Sequence, residues 1–207
     1  MFAKKSLRLY VAGMSESKPL DQITPTPVAL RALAHPVRLR LLGLLRVDGP
    51  STATKLAERL GLNSGATSYH LRQLAQHDFV VEDAERGNSR DRWWRAAHRS
   101  TQWRDDTPDA AARDATDAFV QAAAVVYTEQ LQRAMEERPM LSREWRRATT
   151  NSDWVLDLTP ERGADLKRRL VAVIEEYADD EPADGSAQVM LQLHVFPRPG
   201  TVAGADA

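Results

Sequence analysis

The chain contains no cysteine in 207 residues. Disulfides and thiolate metal sites are therefore excluded, and the composition suits a reducing cytoplasm. No stretch approaches about 18 uninterrupted apolar residues, so no membrane-spanning segment is expected. The opening MFAKKSLRLYVAG resembles a leader only faintly, because Arg8 breaks its apolar run, and Met14 is an alternative start. There is no G-x-S-x-G, no Walker A and no G-x-G-x-x-G, so no local enzyme signature is present. No His-x-x-x-His, EF-hand or zinc-ribbon spacing occurs either. No catalytic residue, metal or cofactor is expected.

What is present is a globular composition, 43% hydrophobic and 28% charged, long enough for one large or two small domains. The net charge of −1 hides a split. Residues 24–104 hold 13 Lys/Arg against 7 Asp/Glu, whereas residues 105–207 hold 11 against 20. A basic first half beside an acidic second half suggests that only the first half meets a polyanion.

The stretch Gly49 to Val81 organises the reading. Ser51 is a good N-cap for a first short helix, whose apolar edge is Leu56 and Leu60. Gly61 stops it, since glycine takes the left-handed conformation without steric cost. Asn63 caps a second helix, in which Thr67, Leu71 and Leu74 share the inward face. At 100° per residue, Gly65, Ser68, Tyr69, Arg72 and Gln76 fall on the opposite face. That face has small and hydrogen-bonding groups and a guanidinium, and no aliphatic bulk. A major groove admits such a helix, and the reading of base edges is favoured over an ordinary solvated face.

Residues 1–23 read as a flexible tail. A helix follows from Thr26 and Pro27, and His35-Pro36 breaks and restarts it. Val37 to Leu45 is the richest apolar stretch, taken as the core helix, with Arg38, Arg40 and Arg46 along its edges. Phe79 to Glu82 and Arg92 to Arg95 have strand character and flank a turn cluster. One of Trp93 and Trp94 should pack under this hairpin and the other cover its outer face. Arg86, Asn88 and Arg90 sit at the tip, where phosphate or minor-groove contact and a solvated turn stand as equal alternatives. Three helices and such a hairpin make a winged helix-turn-helix over residues 24–104. His35 reads as a capping or packing residue and His70 as packed or phosphate-facing.

These residues resemble the ArsR-like family of winged-helix transcriptional regulators. Ala32 to Leu42 resembles the family's opening helix. Leu56 to Leu62 with Ser68 to Leu74 resembles its helix-turn-helix, and Gly87 to Trp94 its wing. The resemblance implies a homodimer on a palindromic operator in double-stranded DNA, with Ser64, Ser68, Tyr69, Arg72 and Gln73 near the DNA. Thr52 and Thr54 stand where the family's founding metalloregulators carry a Cys-x-Cys pair, so thiolate sensing is unavailable.

Residues 105–197 read as a dimerisation and effector region, and residues 198–207 as a second flexible tail. From Thr107 a long helix runs to Pro139, with Val120, Ala124, Tyr127 and Leu131 recurring at four-three spacing. An intersubunit seam on these residues is preferred over burial within one subunit. Trp154 to Leu158 and Gln188 to Phe196 alternate as strands around a helix that starts at Thr159-Pro160-Glu161. This strand-helix-strand module either braces the dimer or holds a small-molecule effector among Trp154, Tyr177, Met190 and Phe196. The overall expectation is an α+β, mainly α fold. Its function is expected to be regulation by DNA binding, with a winged helix used purely for protein assembly as the rival.

Overall fold

A computed structural model describes residues 8–9, 22–86, 92–103, 109–177 and 183–202. The chain divides into two units, up to Met140 and from Leu141 onward, and each is taken by itself.

In the first unit, α1 (Pro27–Leu33) starts where Thr26 Oγ1 accepts the Ala29 N–H and Pro27 supplies a preset φ. The next helix, α2 (Pro36–Val47), uses a ring as its cap: His35 Nδ1 accepts the Val37 N–H at 3.2 Å. Leu39, Leu41, Leu42 and Leu45 of α2 are buried. Arg46, read from sequence as an edge residue, is buried as well. Its guanidinium donates to the His98 carbonyl at 3.0 Å and to Thr101 Oγ1 at 2.8 Å. Burial pushes its pKa down to about 10, so it remains a cation at neutral pH, held by neutral acceptors.

The two-helix element follows. Ser51 lies in strand β3 (Ser51–Thr52), and Thr52 caps α3 (Ala53–Leu60), one residue later than expected. The reason is tertiary: β3 pairs with Trp93 and Trp94, which holds Ser51 extended. Gly61 adopts φ +65°, and the Leu62 N–H reaches back to the Ala57 carbonyl at 2.8 Å, a Schellman-type stop. Asn63 Oδ1 accepts the Ala66 N–H at 2.7 Å to start α4 (Ser64–Ala75). Thr67, Leu71 and Leu74 turn inward, as their spacing requires.

The hairpin consists of β4 (Val80–Glu82) and β5 (Trp93–Ala96), antiparallel with Val80 opposite Ala96 and Glu82 opposite Trp94. With β3 it forms a sheet of order β3-β5-β4. Trp94 is buried, whereas Trp93 is half-buried with the Lys55 ammonium 4.7 Å from its ring centre. Within the segment read as an N-terminal tail, β1 (Arg8–Leu9) and β2 (Gln22–Ile23) each pair in parallel with β6 (Ser100–Thr101). A backbone ladder of two residues leaves no periodic trace in sequence.

The long helix α5 (Ala110–Glu137) starts at Asp109, whose carboxylate accepts the Ala111 N–H at 3.2 Å. It packs on the winged helix rather than standing apart. Ala115, Phe119, Ala122, Ala123 and Val126 are buried. Phe119, Ala122, Ala123 and Val126 join one core with Leu30, Leu33, Leu41, Leu71 and Trp94. Trp103 meets Phe119 edge-on, with ring centres 4.8 Å apart. Arg40 of α2 pairs through its guanidinium with both carboxylate oxygens of Glu129.

The second unit has α6 (Arg143–Ala148), capped by Ser142, and α7 (Pro160–Glu176), capped by Thr159. The cap-proline-acid start of α7 was legible in sequence. The segments read as flanking strands, 154–158 and 188–196, lie outside any ladder. Alternation marks a strand's two faces, but the ladder itself needs an edge to pair with. No such edge occurs within this unit among the described residues. Trp145 of α6 is partly exposed.

Candidate nucleic-acid interface

The inner face of α4 is fixed by the core, and this decides what its outer face presents. Leu71 and Leu74 are fully enclosed, so the helix cannot roll without opening the core. Opposite them, Ser64, Gly65, Tyr69 and Arg72 are exposed, and Ser68 and Gln73 are half-exposed. Tyr69 is 53% exposed, so its ring and hydroxyl are open to solvent on this face. Gln73 Nε2 donates to Gln76 Oε1 at 3.0 Å, which orders two amides on the same side. All five residues read from sequence as near DNA (Ser64, Ser68, Tyr69, Arg72 and Gln73) are thus gathered on one helix with solvent-facing polar groups.

Behind this face lies a ring cluster that sequence reading did not assemble. The His35 and His70 rings are 4.7 Å apart at 42°. Tyr69 meets His70 edge-on, with ring centres 5.5 Å apart. Burial first, then the cations Arg38 and Arg40, holds the His35 imidazole below its ordinary range, its own backbone hydrogen bond opposing this. His70 is held low by burial, then by His35 and Arg38. Both rings are therefore neutral at pH 7, and positive charge behind α4 comes from arginine. The Arg38 Nε, Arg40 Nε and His70 Nδ1 atoms are buried without a protein partner. The only one-dimensional signal for this cluster is that Arg38 follows His35 by about one helical turn. The contact to α4 spans three dozen residues and leaves no local pattern.

At the wing, the Arg86 side chain is largely exposed, with Nε 3.5 Å from Asp83 Oδ2. Arg92 pairs with Glu82 at 3.3 Å on the adjoining strand. Asn88 and Arg90 lie outside the described residues. Thr52 is used as the α3 cap and Thr54 is exposed. Among the described residues no group of three or more His, Cys, Asp or Glu side chains could hold a metal. No helix there is long and apolar enough to cross a membrane.

The residues read as a seam divide between solvent and the subunit's own core, against which Tyr127 packs. Val120, Ala124 and Leu131 are exposed, whereas Tyr127 is largely covered and its phenol is pushed up to about 12 by burial. The four residues read as an effector pocket, Trp154, Tyr177, Met190 and Phe196, are each more than half exposed.

Residues 33–83 match the family model described as a helix-turn-helix domain. A stretch of 69 residues is 45% identical to the HTH-type transcriptional regulator NmtR of Mycobacterium tuberculosis, covering 32% of this chain. The match spans 57% of that relative's length. Among solved structures, a Lactococcus lactis ZitR variant in apo form is 16% identical, with 69% of this chain and 81% of that one covered and a TM-score of 0.27. The transcriptional regulator Tm0710 of Thermotoga maritima is 10% identical, covering 75% of this chain and 89% of that one, with a TM-score of 0.29. Scores this low bear on neither fold nor function. The sequence matches, together with three helices, a Gly61 stop, a capped α4 and an antiparallel wing in this order, show that the chain carries a winged helix-turn-helix domain similar to that of an HTH-type transcriptional regulator.

Proposed function

We propose that this chain binds double-stranded DNA sequence-specifically, as a homodimer on a palindromic operator, and regulates transcription through that occupancy. One observation carries the reading. The exposed face of α4 presents Ser68, Tyr69, Arg72 and Gln73 on a helix whose opposite face is locked into the core. Arginine pairs bidentately with guanine, glutamine with adenine, and hydroxyls pair with either bases or phosphates. Arg86 reaches the backbone from the wing, and the dimer spaces two copies of α4 about one helical turn apart. The exposed α5 face with Val120, Ala124 and Leu131 supports a two-fold seam. An effector acts by favouring one angle between the two winged helices, a population shift. The protein-assembly reading has no observation in its favour.

The test is a titration of the purified full chain with random and genome-derived duplex fragments at several salt concentrations. Selective binding that weakens steeply with salt is the expected result. Binding to none of them at low salt overturns the proposal.

A further inference from the structure

The second unit carries an apolar surface that the functions above leave unused. No residue of α7 is buried. Leu166, Leu170, Val173 and Tyr177 follow one another at four, three and four residues and so form one stripe. Val173 is 52% and Tyr177 71% exposed. One flank of that stripe carries Arg162, Arg169 and Glu176, each seven residues from the next. In the first half of the helix three guanidiniums, those of Arg162, Arg168 and Arg169, share the single carboxylate of Asp165. That half therefore keeps an excess of positive charge, whereas the last turn carries Glu175 and Glu176.

We propose that this stripe is a docking surface for α7 of a second copy of the chain, the two helices lying antiparallel. Charge decides both the occupant and the direction. Antiparallel about a two-fold between Val171 and Ala172, Leu170 faces Val173 of the second copy and Leu166 faces its Tyr177. The same register sets Arg169 against the second copy's Glu176, and this pair occurs twice. A parallel arrangement would instead set Arg162 beside Lys167 of the second copy, a like-charge contact, and would leave Arg169 beside an isoleucine. Flanking charges select orientation in this way because the wrong pairing is repulsive while the apolar stripe is indifferent. The stripe lies on a different helix from the α5 face, and its test needs no DNA.

Because the chain has no cysteine, each introduced thiol is unique. Leu170→Cys in the full chain lies near the two-fold and should give a disulfide-linked dimer under mild oxidation. Gly163→Cys, where an added Cβ meets nothing within 4 Å, is the geometric control. In the antiparallel pair its two thiols stand about 25 Å apart along the axis, so it should stay monomeric on a non-reducing gel. Arg169→Glu in the Leu170→Cys background should cut the dimer yield several-fold, and adding Glu176→Arg should restore it. Cross-linking of both single cysteines would mean a parallel pair and overturn the proposal. Cross-linking of neither, or of Gly163→Cys alone, in protein with unchanged circular dichroism would overturn it equally. So would a yield indifferent to the charge exchange.

Discussion

Consecutive alanines on α5 allow the proposed seam to be tested with one methyl replaced by a carboxylate. Ala122 and Ala123 are 8% and 6% exposed, against the subunit's own core, whereas Ala124 faces out. In a single chain, Glu at position 124 stays in water, and the cost to folding should be within about 0.5 kcal/mol. In a two-fold seam the same carboxylate is buried without a partner, once per copy. An uncompensated buried charge costs about 3–5 kcal/mol. At 1.4 kcal/mol per tenfold, one such charge weakens association by about two to three and a half powers of ten. With the α7 contact weakened by Arg169→Glu, Ala124→Glu should therefore sediment as a folded monomer with unchanged circular dichroism, whereas Arg169→Glu alone stays dimeric. Ala123→Glu, aimed into the core beside Phe119, should lose its helical signal. A folded Ala124→Glu protein that remains fully dimeric in the Arg169→Glu background would remove the seam from this face. An unfolded one would contradict the exposure on which the argument rests.

Arg86→Ala should lower affinity evenly across sequences and reduce the salt slope by about one counterion, measured by titration at several salt concentrations. Gly61→Ala meets no neighbour within 4 Å, so the φ of +65° alone should cost it about 1 kcal/mol in chemical denaturation. The His35 and His70 rings are both held below 6.5, so below that pH the unfolded chain binds more protons than the fold. Stability should thus fall as pH drops through 6.5 and level off once below the folded values, and His70→Gln should flatten that slope in denaturation curves at graded pH.

The local grammar of the winged helix was legible because each signal acts within one turn. Thr26, Asn63 and Thr159 cap the helices expected of them, and Gly61 stops α3. The inward set Thr67, Leu71, Leu74 follows from a period of 3.6 alone. The cap of α3 was misplaced by one residue, because the pairing of Ser51 with Trp94 acts across some forty residues. Arg46 was read as an edge cation because charge predicts exposure, and its buried acceptors, the His98 carbonyl and Thr101, come from a distant segment. The two alternating segments of the second unit show the converse. Their period describes a surface, and a ladder also needs a partner that the described residues of the unit do not supply. Of the interface, the helix face was readable from spacing, whereas the stacking of His70 on His35 was not.

The central claim, that α4 reads base sequence, is tested most directly by Arg72→Ala against a panel of single-base variants of the selected operator. Arg72 is exposed and rooted on a fixed helix, so its loss should not disturb the fold. If its guanidinium pairs with one base, affinity for the selected sequence should fall by about 1–3 kcal/mol. Discrimination should relax at one position in each half-site and persist at the others. Retention of full affinity and full discrimination at every position would contradict the assignment of α4 as the recognition helix.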